Sequence, residues 1–298
     1  MSITQHDRDL YCLRCAGYVM LRDFADPATV AAIEEATVGF EREVQGWAKD
    51  NTLILSHSWP LLTTRCLYVA SRELQDLVMH PRIRSLVADY LDAPVLRDSL
   101  MQTNMPDPRN AARGRLGDIS FHRDTLWPDG EIRPQYLHVF LLLSDTTLEN
   151  GATMVVPGSH RVREPGYYFK NTDPRGPQQG IDYRVYEQSY FPSAVQLPAT
   201  RGTVMLLDPM MIHSQGINVS QAERRILNTT FRAGHTDGRP PLLNARAIAE
   251  RHARVPMRED FLELLESDQG LPSEYGPLRD GAAVESGRIH APAAGTSR

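Results

Sequence analysis

Near residue 94 the chain changes its periodicity, and that break limits the architectures open to it. Upstream the pattern is helical. Residues 4–16 read as a helix, Gly17-Tyr18-Val19-Met20-Leu21-Arg22 alternates like a short strand, and Asp26-Pro27 opens a second helix to about residue 45. There Asp26 serves as cap and Pro27 as first helical residue. In 71–92, Leu74, Leu77, Val78, Ile83, Leu86, Val87, Tyr90 and Leu91 fall on helical spacing, with a break expected at Pro81. Downstream the pattern becomes short strands, predicted at 95–105, 119–123, 135–143, 152–156, 194–197, 203–207 and 224–233, with Asn150-Gly151 and Pro157-Gly158 as turns. Helices first and many short strands afterwards predict a mainly β fold, a jelly-roll barrel buttressed by N-terminal helices.

Within the strand-rich part stands Phe121-His122-Arg123-Asp124. Alternate residues of a strand point to the same face, so His122 and Asp124 share one. His213, 91 residues further on, can complete two imidazoles and a carboxylate around one metal. That ligand set leaves coordination positions open, as in non-haem Fe(II) oxygenases. A His-x-Asp pair by itself also arises by chance. The remaining histidines (His6, His57, His80, His138, His160, His235, His252, His290) read as ordinary hydrogen-bonded residues, with His138 kept in reserve as a residue at the substrate.

Bulk properties narrow the partners. The net charge is −5 and the pI about 6.1, which argues against nucleic acid or an anionic membrane surface. No apolar run reaches the length of a membrane span, and the N-terminus lacks a signal-peptide layout. Three cysteines (Cys12, Cys15, Cys66) make no disulfide framework, so the expectation is a soluble, cytoplasmic protein. Cys12-Leu13-Arg14-Cys15 has C-x-x-C spacing but no second pair and no preceding strand, and reads as ordinary thiols. One domain is expected over 1–278, with a disordered Ala/Gly/Ser-rich tail over 279–298.

The surroundings of the motif carry more. After Asp124 come Tyr136–Leu143, then Glu149-Asn150-Gly151-Ala152, then Val155-Val156-Pro157-Gly158-Ser159-His160. After His213 come Asn218, Ser220 and Arg224-Arg225, leading into a strand. From about residue 11 to 233 the chain resembles the phytanoyl-CoA dioxygenase family of Fe(II)- and 2-oxoglutarate-dependent oxygenases. The resemblance implies a cupin-like double-stranded β-helix and a metal held by His122, Asp124 and His213. It also implies that Arg224, eleven residues past the distal histidine, binds 2-oxoglutarate. Arginine's planar fork suits the distal carboxylate of that cosubstrate. Strand parity allows only one of Arg224 and Arg225 to face inward, and Arg224 is preferred. Gln215 matches a polar position near the cosubstrate in the family. Phe140 stands where many relatives carry tryptophan, and Gln102 and Asn104 are weaker cosubstrate candidates. The implied chemistry consumes O₂ and 2-oxoglutarate and releases succinate and CO₂ while a substrate C–H bond is oxidised. Related halogenases replace the carboxylate with a small residue, so an intact Asp124 favours oxygen chemistry.

For the substrate the chain says less. Residues 160–193 carry mixed charge together with Tyr167, Tyr168, Phe169, Tyr183, Tyr186, Tyr190 and Phe191. Such rings suit a lid over a small-molecule ligand, or they pack the loop onto the barrel. Trp59 and Trp127 are further candidates for the barrel mouth. By analogy with the family, the expected role is hydroxylation, ring closure, desaturation or epoxidation in natural-product biosynthesis. Two other readings stand beside it: a metal-dependent isomerase or hydrolase without 2-oxoglutarate, and a non-catalytic ligand-binding module. A module of that kind would have no need of His122, Asp124, His213 and Arg224 together. Oligomeric state is not legible.

Overall fold

A computed structural model describes residues 2–47, 55–58, 61–107, 121–124, 132–162, 169–170, 184–186, 191–234 and 244–266. Helix α1 (Gln5–Ala16) begins at a reciprocal cap: Thr4 Oγ1 accepts from the Asp7 amide at 3.1 Å, and Asp7 accepts from the Thr4 amide at 2.8 Å. It ends at Gly17, whose φ of 88° suits only glycine well. Helix α2 (Pro27–Trp47) starts as expected, with Asp26 accepting from the amides of Ala28 and Thr29. The stretch 71–92 forms two helices, α3 (Arg72–Val78) and α4 (Pro81–Tyr90), separated where Pro81 cannot continue the first.

Strands β1 (Tyr18–Leu21), β2 (Leu55–Ser58), β3 (Leu61–Arg65), β4 (Val95–Asn104), β6 (Tyr136–Leu142), β11 (Val204–Leu207) and β13 (Arg224–Arg232) build the larger sheet, in the order β1-β11-β6-β13-β4-β3-β2. The smaller sheet runs β10-β7-β12-β5-β9-β8, from β5 (His122–Arg123), β7 (Thr153–Val155), β8 (Phe169–Lys170), β9 (Arg184–Tyr186), β10 (Val195–Gln196) and β12 (His213–Gln215). All recorded strand pairs are antiparallel. Two such sheets facing each other form the jelly roll expected from the sequence. Strands β2, β3, β8, β9 and β12 and the helices α5 (Ala245–His252) and α6 (Glu259–Leu264) complete it. Of these the sequence pattern indicates only a weak helix near residues 257–267, where α6 stands. Within 160–193, read as an irregular loop, β8 and β9 extend the smaller sheet through β5.

Every residue of β6 is buried, because the strand is covered on both faces. Leu137, Val139 and Leu141 join Leu13, Ile33, Phe40, Leu86 and Phe261 in the core between sheet and helices. Phe140 and Leu142 point the other way and pack with Met205, Ile226, Val155 and Met211 inside the barrel. The helices thus seal the outer face of the larger sheet and leave its inner face for chemistry. Among the described residues no helix is long and apolar enough to cross a membrane. Trp59, Trp127, Tyr167, Tyr168 and the segment 279–298 lie outside the described residues.

Two glycines separate backbone need from packing. Gly151 has φ +87°, and a Cβ there would sit 2.5 Å from the Gly216 carbonyl oxygen and 2.6 Å from Asn104 Nδ2. Gly39 lies in α2 with nothing within 4 Å of a Cβ. Gly151→Ala should therefore destabilise the fold by about 2–3 kcal/mol, whereas Gly39→Ala should stabilise it by about 0.5–1 kcal/mol. Urea unfolding of the two variants checks this, and equal effects would contradict it.

Candidate metal centre

The two histidines that the sequence separates are directly opposed in the sheet: His213 of β12 pairs with His122 of β5. Their ring centroids lie 4.3 Å apart, with planes inclined at 52°. Asp124 follows β5, held by its amide donating to the Pro209 carbonyl at 3.0 Å. Its Oδ1 stands 3.3 Å from His122 Nε2 and 3.7 Å from His213 Nε2. One ligand atom from each of the three side chains lies within 4.8 Å of the others. His213 Nδ1 donates to the Met211 carbonyl at 2.7 Å, so Nε2 is left with its lone pair toward the site.

The donor set fits a divalent transition metal. Burial, and then the neighbouring His122, push His213 down to about 4, so its ring is neutral and able to ligate at neutral pH. Burial would raise the Asp124 carboxyl. Its hydrogen bonds with His122 and His138, and then the proximity of His213, outweigh that and hold it well below the usual carboxylate range. Anion and neutral imidazoles are the states a metal requires.

At the far end of the inner face, Arg224 is completely buried and pairs in register with Asn104. Arg225 points outward: it forms an ion pair with Glu223 and approaches Glu34 of α2 at 3.7 Å. The two sheets meet beside Arg224, where Gln215 Nε2 donates to Gln102 Oε1 at 3.3 Å and Asn104 Nδ2 donates to the Gly216 carbonyl at 3.2 Å. Among the described residues, Asn104 Oδ1, Gln215 Oε1 and the nearby Asn228 Oδ1 are buried without a hydrogen-bond partner, and as acceptors they suit N–H or O–H donors. The buried guanidinium is the group at this end that suits an anionic guest such as a dicarboxylate.

Phe140 lies on the same face, its ring 5.5 Å from that of His138 in an edge-to-face contact. His138, held in reserve as a substrate residue, instead hydrogen-bonds Asp124 Oδ2 through Nε2 at 2.8 Å and Thr230 Oγ1 through Nδ1 at 3.0 Å. Sequence reasoning missed this contact and Thr230 altogether. The available signal was a histidine inside the otherwise apolar run Leu137–Leu143.

A jelly roll with two histidines and a carboxylate facing inward defines the class of mononuclear non-haem metal proteins. The family model described as phytanoyl-CoA dioxygenase matches residues 13–226, and the chain belongs to that family, whose members are non-haem Fe(II)/2-oxoglutarate oxygenases. Phytanoyl-CoA dioxygenase domain-containing protein 1 of Danio rerio is 26% identical over 117 residues, 37% of this chain and 38% of that protein. The dioxygenase himG of Aspergillus japonicus is 34% identical over 99 residues, 33% of this chain and 24% of that protein. The chain thus matches well under half the length of these curated relatives. Among solved structures, the epimerase SnoN in complex with Fe³⁺, alpha-ketoglutarate and nogalamycin RO superposes with a TM-score of 0.56. It is 16% identical, and the match covers 90% of this chain and 94% of that one.

His213 sets a pH dependence for the metal-free protein. Its pKa is lower folded than unfolded, so between about pH 6.5 and 4 the unfolded chain binds the extra proton. Stability should fall across that window as pH falls, by about 3 kcal/mol in all. Asp124, depressed in turn, contributes stability that is lost only at still lower pH. His213→Gln should flatten the decline between pH 6.5 and 4 in chemical unfolding, and an unchanged slope would contradict the assignment.

Proposed function

We propose that this chain is an Fe(II)- and 2-oxoglutarate-dependent dioxygenase that oxidises a C–H bond of a small organic molecule. His122, Asp124 and His213 hold the metal and Arg224 anchors the cosubstrate. The convergence of those three side chains inside the barrel carries the reading. When bound, iron with the keto acid supplies the oxidising power. The residues supply the rest. His122 and His213 offer ring nitrogens from adjacent strands of a rigid sheet. Asp124 offers one charge and so lowers the net charge of the bound cation. Arg224 fixes the distal carboxylate by parallel hydrogen bonds, with Gln102, Asn104 and Gln215 lining its approach. Phe140 and Leu142 exclude water from the space between.

The larger sheet orders these groups in rows. Leu207, His138, Thr230 and Asp98 lie side by side across it, and Met205, Phe140, Asn228, Leu100 and Arg65 form the next row. Arg65 and Asp98 form an ion pair on the inner side, both partly exposed. A charged pair on the wall that carries His138 favours a substrate rich in oxygen acceptors and hydroxyls. The match to an enzyme solved with nogalamycin RO is consistent with a natural-product substrate. Cys12, Cys15 and Cys66 form no disulfide with one another, which fits a cytoplasmic setting.

Anaerobic titration of the purified protein with Fe(II) and then 2-oxoglutarate tests the proposal. A weak visible charge-transfer absorption should appear only when both are present. Arg224→Ala should weaken 2-oxoglutarate binding about 10- to 100-fold, while Arg225→Ala leaves it nearly unchanged. Iron binding without the absorption would favour a jelly-roll isomerase or hydrolase instead.

A further inference from the structure

We infer that His138 is a positioning residue that commits Asp124 to coordination through one oxygen, with Thr230 orienting its ring. The inference rests on the oxygenase reading above and concerns how that site keeps its open positions. The two oxygens of Asp124 are divided in space. Oδ1 faces His122 Nε2 and His213 Nε2, at 3.3 and 3.7 Å, whereas Oδ2 is 2.8 Å from His138 Nε2. A carboxylate can bind a metal with one oxygen or with both. With Oδ2 accepting from His138, only Oδ1 is left to ligate.

That difference matters because three protein ligands must leave room for a chelating keto acid and for O₂. A second bond from Asp124 would occupy one of those positions. His138 is well held for the task. In its neutral form Nε2–H donates to Asp124 and Nδ1 accepts from the Thr230 hydroxyl at 3.0 Å, so both nitrogens are used. The ring is 7% exposed, Thr230 is 8% exposed, and Phe140 packs edge-on against the imidazole. His138 sits in a strand whose other inward residues, Phe140 and Leu142, are apolar. A buried imidazole there would cost stability without its two partners. The partner of a metal-ligating side chain typically shifts metal affinity by about 10- to 100-fold.

The test compares wild type, His138→Leu, His138→Gln and Thr230→Val, each checked by thermal unfolding of the metal-free protein. Fe(II) affinity is measured anaerobically, followed by 2-oxoglutarate affinity and charge-transfer absorbance at saturating Fe(II). His138→Leu should bind Fe(II) about 10- to 100-fold more weakly. At saturating iron it should also show a reduced absorption, because a freed Oδ2 competes with the keto acid. A purely structural role would not produce that second effect. His138→Gln, which returns an N–H near Oδ2, should recover most of both losses, and Thr230→Val should cost about fivefold in Fe(II) affinity. If His138→Leu matches wild type in both measurements, or if Gln restores nothing that Leu removes, the inference is overturned while the oxygenase reading stands. If the wild type takes up no Fe(II), both fall. Should His138→Leu not fold, Thr230→Val decides, and an unchanged affinity there overturns the inference.

Discussion

Strand β5 is two residues long, and its pairing with β12 is what sets His122 opposite His213. So short a strand has little pairing energy of its own, and the structure holds it from outside. Arg123, the residue between the two ligands of the His-x-Asp motif, is buried and donates to the carbonyls of Ser159 and Val162 at 2.9 and 2.7 Å. Ser159 Oγ in turn accepts from the Ile212 amide at 2.8 Å, next to His213. The turn that carries Met211 is fixed through Asp208, which accepts from the Met210 amide at 2.8 Å and from Tyr90 of α4 at 2.6 Å. Burial raises the Asp208 carboxyl, which its hydrogen bonds with Tyr90 and the Met210 amide counter. A helix on the outer face of the larger sheet therefore helps decide how a histidine is aimed on the inner face of the smaller one.

The two ends of the barrel interior solve opposite electrostatic problems. Around Asp124 an anion is half-buried beside imidazoles, and its hydrogen bonds must offset its partial loss of water. Around Arg224 a cation is buried among amides. The neighbouring Arg225 is partly exposed and paired with Glu223 and Glu34 on the helix side. Adjacent residues of one strand thus place one arginine outside the barrel and one inside. A slip of one residue in β13 would exchange them and also turn Leu227 and Phe231 out of the core. The hydrophobic pattern of the strand is what protects the polarity of the site.

The fold was legible where periodicity was strong. Asp26-Pro27, the apolar spacing of 71–92 and the alternating strands 95–105 and 224–233 all appear where the pattern placed them. Strand β12, with the sequence His-Ser-Gln, carries no apolar alternation and became a strand only through its neighbours β7 and β5. The same holds for β8 and β9, which depend on pairing with β5 in a region that reads as polar loop. At the site, the grouping of His122, Asp124 and His213 was visible because ligand chemistry restricts residue type; strand parity said that only one of Arg224 and Arg225 turns inward, and the family resemblance pointed to Arg224. The place of His138 was not visible. Its contact with Asp124 joins two strands of different sheets, and no spacing rule between residues 124 and 138 encodes it.

The limit of family likeness follows from the same geometry. The residues that carry the family pattern sit on β5, β6, β7, β12 and the start of β13 and on the turns beside β7. The wall of β3 and β4 lies on the other side of β13, two strands removed from β6. With strands about 4.8 Å apart, Arg65 and Leu100 stand roughly 10–15 Å across the sheet from Phe140. That distance is comparable to a small organic molecule, so this wall can be rebuilt without disturbing the metal. The separation is not complete, because β4 also carries Gln102 and Asn104 beside Arg224 and Asp98 in register with Thr230; β3, one strand further out, is the part of this wall least tied to the metal ligands.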